Sequence, residues 1–174
     1  MNTVFAFGSN MHLRQMFARC PSAKLVGPGI LRDYRLSFAS FSHRWGGAVA
    51  TVIQSPGKRC YGLLFELPDR DLVALDGFEG AGYERFTVPI VRSGGGRPRR
   101  SFAYRLKNTW ERPAPPSSSY LGVIWDAYRE WGFDAGALAE AIEESCKGKE
   151  HLRGARSIAQ ELLAMSKNRR TTSC

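Results

Sequence analysis

No apolar run in this sequence approaches the roughly 20 residues that a membrane-spanning helix needs, and no basic stretch precedes the few apolar residues among the first ten. A secretory leader is therefore not expected. That segment reads as a first strand, and the chain reads as a cytoplasmic protein. Cysteine and histidine are scarce: Cys20, Cys60, Cys146 and Cys174, with His12, His43 and His151, are scattered over 174 residues. No C-x-x-C, paired-histidine or H-E-x-x-H spacing occurs, so no metal site is expected. The thiols read as reduced, and pairing Cys20 or Cys60 with His43 as nucleophile and base finds no support in the spacing. Acidic residues are few beside the basic ones, 16 against 25, which leaves a formal charge of +9. Of that, +5 lies beyond Ser145. Such a basic end suits a solvated extension or a polyanion, but nothing in it resembles a groove-reading or base-stacking module, so a nucleic-acid partner is not expected.

The remaining chain is long enough for one domain with a sizeable core. Asn2, Thr3, Val4, Phe5, Ala6 and Phe7 read as a buried strand stopped by Gly8-Ser9-Asn10. Leu13, Met16 and Phe17 recur at helical spacing, with Ser9 or Asn10 as the expected N-cap. Strands are expected around residues 24–27, 34–41, 48–53 and 60–67, the last two joined as a hairpin through Ser55-Pro56-Gly57-Lys58. A short helix carries Leu72, Val73 and Leu75 and is expected to close at Gly77, followed by the loop Phe78-Glu79-Gly80-Ala81-Gly82. Phe86, Val88 and Ile90, then Phe102, Tyr104 and Leu106, alternate as one-sided strands. The glycine run 94–96 between them lacks the lysine and hydroxyl of a phosphate loop. Residues 120–131 place Leu121, Ile124, Trp125 and Tyr128 on one helical stripe, and Asp134 caps a second helix holding Leu138 and Ile142. Ile158, Leu162 and Met165 form a weaker amphipathic stretch. Many strands with helices gathered between and after them indicate an α+β fold, and the short connections suit a small closed or nearly closed sheet.

Two places carry chemistry. The order strand, Phe7-Gly8-Ser9-Asn10, helix brings backbone N–H groups close to an anion such as a carboxylate. In Leu75-Asp76-Gly77-Phe78-Glu79-Gly80 a carboxylate sits among apolar residues and glycines. Burial there would raise its pKa and suit it to proton transfer near neutrality. Alone, each motif is equally an ordinary turn and an ordinary surface glutamate.

Together they resemble the γ-glutamyl cyclotransferases, the AIG2-like family. Val4-Phe5-Ala6-Phe7-Gly8-Ser9-Asn10 looks like the family's Y-G-S-N loop. Cys20-Pro21-Ser22-Ala23, Trp45-Gly46-Gly47-Ala48-Val49-Ala50-Thr51 and Gln54-Ser55-Pro56-Gly57 resemble the next blocks in the same order. Leu75-Asp76 through Glu79-Gly80 resembles the catalytic block, and Ala114-Pro115-Pro116-Ser117-Ser118-Ser119-Tyr120 a later substrate-contacting one. The likeness runs to about residue 145, which places a catalytic domain at residues 1–146 and a basic extension, helical or mobile, at 147–174. It implies a small mixed β-barrel with peripheral helices, a cofactor-free enzyme and a homodimer. It also implies Glu79 as the catalytic carboxylate, with Val4, Phe5, Ala6, Phe7, Gly8, Ser9, Asn10 and Tyr120 around the substrate. Phe7 stands where the family has tyrosine.

The implied reaction closes a γ-glutamyl amide, such as a γ-glutamyl-amino acid, onto its own α-amine, releasing 5-oxoproline and the free amine. Two alternatives stay open from sequence: a γ-glutamyl-amine or γ-glutamyl-protected metabolite on the same scaffold, and a small-molecule or polyanion binding module without catalysis.

Overall fold

The computed structural model describes residues 1–107 and 113–147, together with Ser157, Ile158, Gln160, Glu161 and Ala164. Strand β1 (Asn2–Ala6) passes through a 3₁₀ turn (Ser9–Met11) into α1 (Leu13–Arg19), then β2 (Lys24–Ser42) and β3 (Gly47–Leu67). Helix α2 (Asp69–Glu79), strands β4 (Tyr83–Arg92) and β5 (Arg99–Leu106), and helices α3 (Ser118–Trp131) and α4 (Ala135–Ser145) follow. The strands close a barrel in the order β1-β3-β2-β4-β5. Neighbours are antiparallel except at the closure, where β1 runs parallel to β5 with Val4 opposite Phe102. The α+β class and the mixed barrel with outlying helices are those expected.

The barrel's long ribbon differs from the sequence expectation. Residues 24–27 and 34–41 are parts of one strand, β2, and 48–53 and 60–67 are parts of one strand, β3. Ser55-Pro56-Gly57-Lys58 does not reverse the chain. Leu31, Arg32, Tyr34 and Arg35 pair with Cys60, Arg59, Gln54 and Ile53, so residues 55–58 bulge out opposite Asp33. Asp33 takes φ 60°, a conformation that aspartate tolerates, and its carboxylate accepts from the Gly57 N–H at 2.8 Å. That bond closes the excursion as a bulge. The true reversal is the 43–46 connection, where Trp45 and Gly46 donate back to the Ser42 carbonyl.

Phe5, Phe38, Phe65, Leu31, Leu63, Leu64 and Ile90 are fully buried inside the barrel and its helical cover; each contributes about 1.5–3 kcal/mol through removal from water. Helix α3 lays Leu121, Ile124 and Tyr128 of the expected stripe on this core together with Tyr120, and the stripe's Trp125 is only half-buried against it. Asp134 caps α4 through the Gly136 N–H at 2.9 Å. Before α3, Ala114 donates to the Phe38 carbonyl and Pro115 accepts from the Ala48 N–H. These bonds pin the loop onto the end of the β2–β3 ribbon, and Ser117 then starts α3 by accepting from the Tyr120 N–H. The loop therefore aims Tyr120 at the barrel. No helix among the described residues is long and apolar enough to cross a membrane. Most of the basic extension, Leu162 and Met165 included, lies outside the described residues; Ile158 is half-buried against the core.

Candidate active site

Glu79 is the last residue of α2, not part of a loop. Gly77 does not close that helix: glycine costs about 1 kcal/mol in a helix but keeps its N–H. The helix stops at Gly80, whose φ of 76° suits glycine and whose N–H bonds back to the Asp76 carbonyl. Asp76, one turn earlier, is held by the Tyr104 hydroxyl at 2.7 Å and by Arg85 at 2.9 Å. The helix end is thus clamped from the barrel wall.

The expected N-cap role of Ser9 and Asn10 does not occur. Both residues lie in the 3₁₀ turn, and α1 begins only at Leu13, capped by the His12 ring. Their side chains are committed elsewhere. Gln15 Nε2 donates to Ser9 Oγ at 2.8 Å and to Asn10 Oδ1 at 3.3 Å, and Arg19 Nη1 donates to Asn10 Oδ1 at 2.7 Å. With its carbonyl so occupied, Asn10 turns its amide nitrogen to Glu79 Oε1, 2.6 Å away. Arg19 Nη1 itself stands 3.8 Å from that oxygen, and both side chains are almost covered, at 10% and 15% exposure.

Tyrosines complete the wall. Ala50 lies where β3 has no β1 neighbour, since β1 pairs only with residues 63–67. The orphaned edge is satisfied by hydroxyls: Tyr120 accepts from the Ala50 N–H at 3.1 Å, and Tyr83 donates to the Ala50 carbonyl at 2.8 Å. Gly8 passes so close that a Cβ there would lie 3.1 Å from Tyr120 Oη and 3.2 Å from Ala50 Cβ. These groups enclose a cavity of about 50 Å³ lined by Val4, Phe5, Ala6, Phe7, Gly8, Ser9 and Asn10, with Ala50, Glu79, Tyr83, Tyr104 and Tyr120 opposite. Every residue assigned to the site from sequence borders this one space.

Burial pushes the Glu79 carboxyl above its ordinary range, while the Arg19 charge and the Asn10 hydrogen bond pull it down and Asp76 acts with burial. Burial likewise pushes Tyr120 up to about 12 and Tyr83 well above its usual value, so both hydroxyls keep their protons. Arg19 is pulled below its ordinary value by burial and by nearby Arg44, against the pull of Glu79. Neither Cys20 nor Cys60 is poised as a nucleophile: burial pushes Cys20 up to about 11, and Cys60 is raised by burial alone.

Sequence reasoning missed Arg19, Gln15, Tyr83, Tyr104 and Ala50 as site residues. One signal was present: Gln15 and Arg19 stand four apart, on one face of α1.

The family model described as gamma-glutamyl cyclotransferase, AIG2-like, matches residues 4–126. Among curated relatives, a gamma-glutamylcyclotransferase from Mus musculus is 30% identical over 152 residues, covering 84% of this chain and 77% of its own. One from Homo sapiens is 31% identical over 134 residues, covering 74% and 70%. A solved structure named gamma-glutamyl cyclotransferase superposes with a TM-score of 0.70 at 26% identity, over 92% of this chain and 98% of its own.

Proposed function

The chain belongs to the gamma-glutamyl cyclotransferase family and is a cyclotransferase, and from that premise we propose that Glu79 carries the proton in closing a γ-glutamyl-amino acid to 5-oxoproline. The observation behind this reading is a nearly covered carboxylate of raised pKa, bonded to Asn10 at 2.6 Å and facing the Val4–Asn10 segment across one small cavity.

The substrate brings its own nucleophile. Its α-amine lies at five-membered-ring distance from the γ-carbonyl, so folding the γ-glutamyl group into the cavity supplies much of the acceleration. The backbone of Gly8, Ser9 and Asn10 holds the α-carboxylate. Glu79 takes a proton from the α-ammonium, the freed amine attacks the γ-carbonyl carbon, and a tetrahedral oxyanion forms. The loop N–H groups and the Tyr120 hydroxyl, which accepts from Ala50 and keeps its own hydrogen to give, are the donors available to that oxyanion. Glu79 then protonates the departing nitrogen as its bond to carbon breaks, and the carboxylate so restored takes the second proton from the ring nitrogen and passes it to solvent or to the released amine. One carboxylate serves both steps because burial raises its pKa toward neutrality, which makes it a better base than a free carboxylate and still able to give the proton back.

The rim favours an amino acid over a simple amine as the leaving group. Arg44 makes no ion pair among the described residues, stacks its guanidinium 5.6 Å from the Trp45 ring, and lies near enough to Arg19 to repel it. Trp45 packs 4.9 Å from Tyr120. Arg44, a cation beside Arg19 with no carboxylate paired to it among the described residues, suits a leaving group that carries a carboxylate of its own. The reading extends to a homodimer in the cytosol, and light scattering of the purified chain tests the assembly. The reaction is tested by incubating the protein with γ-glutamyl-alanine and with γ-glutamyl amines and measuring 5-oxoproline. Faster release from the dipeptide is expected; a strong preference for the amines would overturn the substrate, and no release from any of them the reaction.

A further inference from the structure

We propose that Arg19 is the positioning residue that keeps Glu79 in its proton-accepting form, acting through the Asn10 amide and through its own charge. The inference rests on the reading of Glu79 as the proton carrier, and it concerns a residue that touches neither the loop backbone nor the reacting atoms.

The geometry is a short relay. Arg19 Nη1 donates to Asn10 Oδ1 at 2.7 Å, which leaves Asn10 Nδ2 as the donor to Glu79 Oε1 at 2.6 Å. Rotating that amide by half a turn would set a carbonyl oxygen against the carboxylate and an NH₂ against the guanidinium, both repulsive. Gln15 adds a second donor to the same oxygen. Arg19 is itself held, with its guanidinium 5.4 Å from the Phe78 ring and only 10% of its side chain exposed. The remaining groups around Glu79 do not supply a positive charge at this range. From α2 comes Asp76, already paired with Arg85 and Tyr104. From just past α1 comes Cys20, a protonated thiol; from β4 and α3 come the hydroxyls of Tyr83 and Tyr120. Arg44, on the β2–β3 connection, acts on Arg19. A buried glutamate in such surroundings would hold its proton and be useless as a base; the guanidinium counters that tendency.

The test is the pH dependence of kcat/KM with γ-glutamyl-alanine for the full chain, wild type against Arg19→Gln, Arg19→Lys and Asn10→Ala, each checked by thermal melting. Arg19→Gln keeps a donor to Asn10 and loses the charge. Its acid limb is expected to move to higher pH, with a loss of about tenfold or more on the acid side that narrows toward alkaline pH. KM is expected to change by less than about twofold. Arg19→Lys, which keeps the charge, is expected to bring the limb back toward wild type. Overturning results are an unmoved limb, a loss equal at every pH, a raised KM with the limb in place, or a limb displaced as far in Arg19→Lys as in Arg19→Gln. If Arg19→Gln does not fold, Asn10→Ala carries the test: its limb moves the same way, or the relay is wrong. Glu79→Gln run beside them separates the two claims, because turnover retained there defeats the proton-carrier reading, whatever Arg19 does.

Discussion

Arg105 meets Glu84 at 2.7 Å across β4 and β5, while Arg19 stands 3.8 Å from Glu79 at the cavity. Distance alone makes the first pair the stronger. Exposure reverses the ranking: the outer pair is 34% and 41% exposed, the inner 10% and 15%. Water screens the outer charges, and pairs of that kind are worth about 0–1 kcal/mol. At the cavity, water is largely excluded, Asn10 bridges the gap, and the same two residue types set a proton equilibrium instead of a fold. The barrel's outer wall therefore carries water-screened pairs between neighbouring strands, whereas the wall around β1, α1 and the end of α2 holds its pair nearly out of water.

One substitution made in both regions breaks the comparison most sharply. Glu79→Gln is expected to fold normally and to lose about a hundredfold to ten-thousandfold in 5-oxoproline release, measured by steady-state kinetics. Near-normal turnover would make the two glutamates equivalent. Next in size is Tyr120→Phe. It removes the acceptor of the buried Ala50 N–H, and denaturant unfolding is expected to show a loss of about 1–3 kcal/mol; an unchanged midpoint would mean that another group takes the bond.

Acid–base linkage gives a smaller effect. The Glu79 carboxyl is raised in the folded state by burial, so the folded chain binds more protons than the unfolded one between the two values. Its contribution to stability is present below the unfolded value and lost as pH rises through the folded one. Thermal melts of Glu79→Gln against wild type should therefore shift in favour of the variant as pH rises through that window; a difference independent of pH would contradict the burial argument. Smallest is Glu84→Gln, expected to cost less than about 1 kcal/mol and to leave kcat unchanged.

The convergence of the Val4–Asn10 segment, Glu79 and Tyr120 was legible only through the family resemblance, and the structure gives it a physical form. Gly8 marks a close approach, and the Ser117 cap starts the helix that carries Tyr120. A helix start was legible where a side chain caps it at Asp134, whereas the Ser117 cap, which starts α3 at Ser118 and not at residue 120, was read as loop. Helix ends were misread where a residue of low propensity is tolerated, as at Gly77, or where a would-be cap has a better partner, as Ser9 has in Gln15 and Asn10 in Glu79. The bulge at Ser55-Pro56-Gly57-Lys58 has the composition of a hairpin turn. Only the bond from Gly57 to Asp33, 24 residues away, makes it something else. Tyr83 was invisible for the same reason, and the spacing of Gln15 and Arg19 gains its meaning only from what the closed barrel brings beside them.

The ionisation of Glu79 itself is the most direct probe. Carbon-13 NMR of the side-chain carboxyl, assigned by its absence in Glu79→Gln, can be followed against pH beside kcat/KM of the wild type. The account predicts one titration above the ordinary glutamate range that coincides with the acid limb of the rate. A carboxyl titrating in the ordinary range, or one whose titration leaves the rate unmoved, would contradict it.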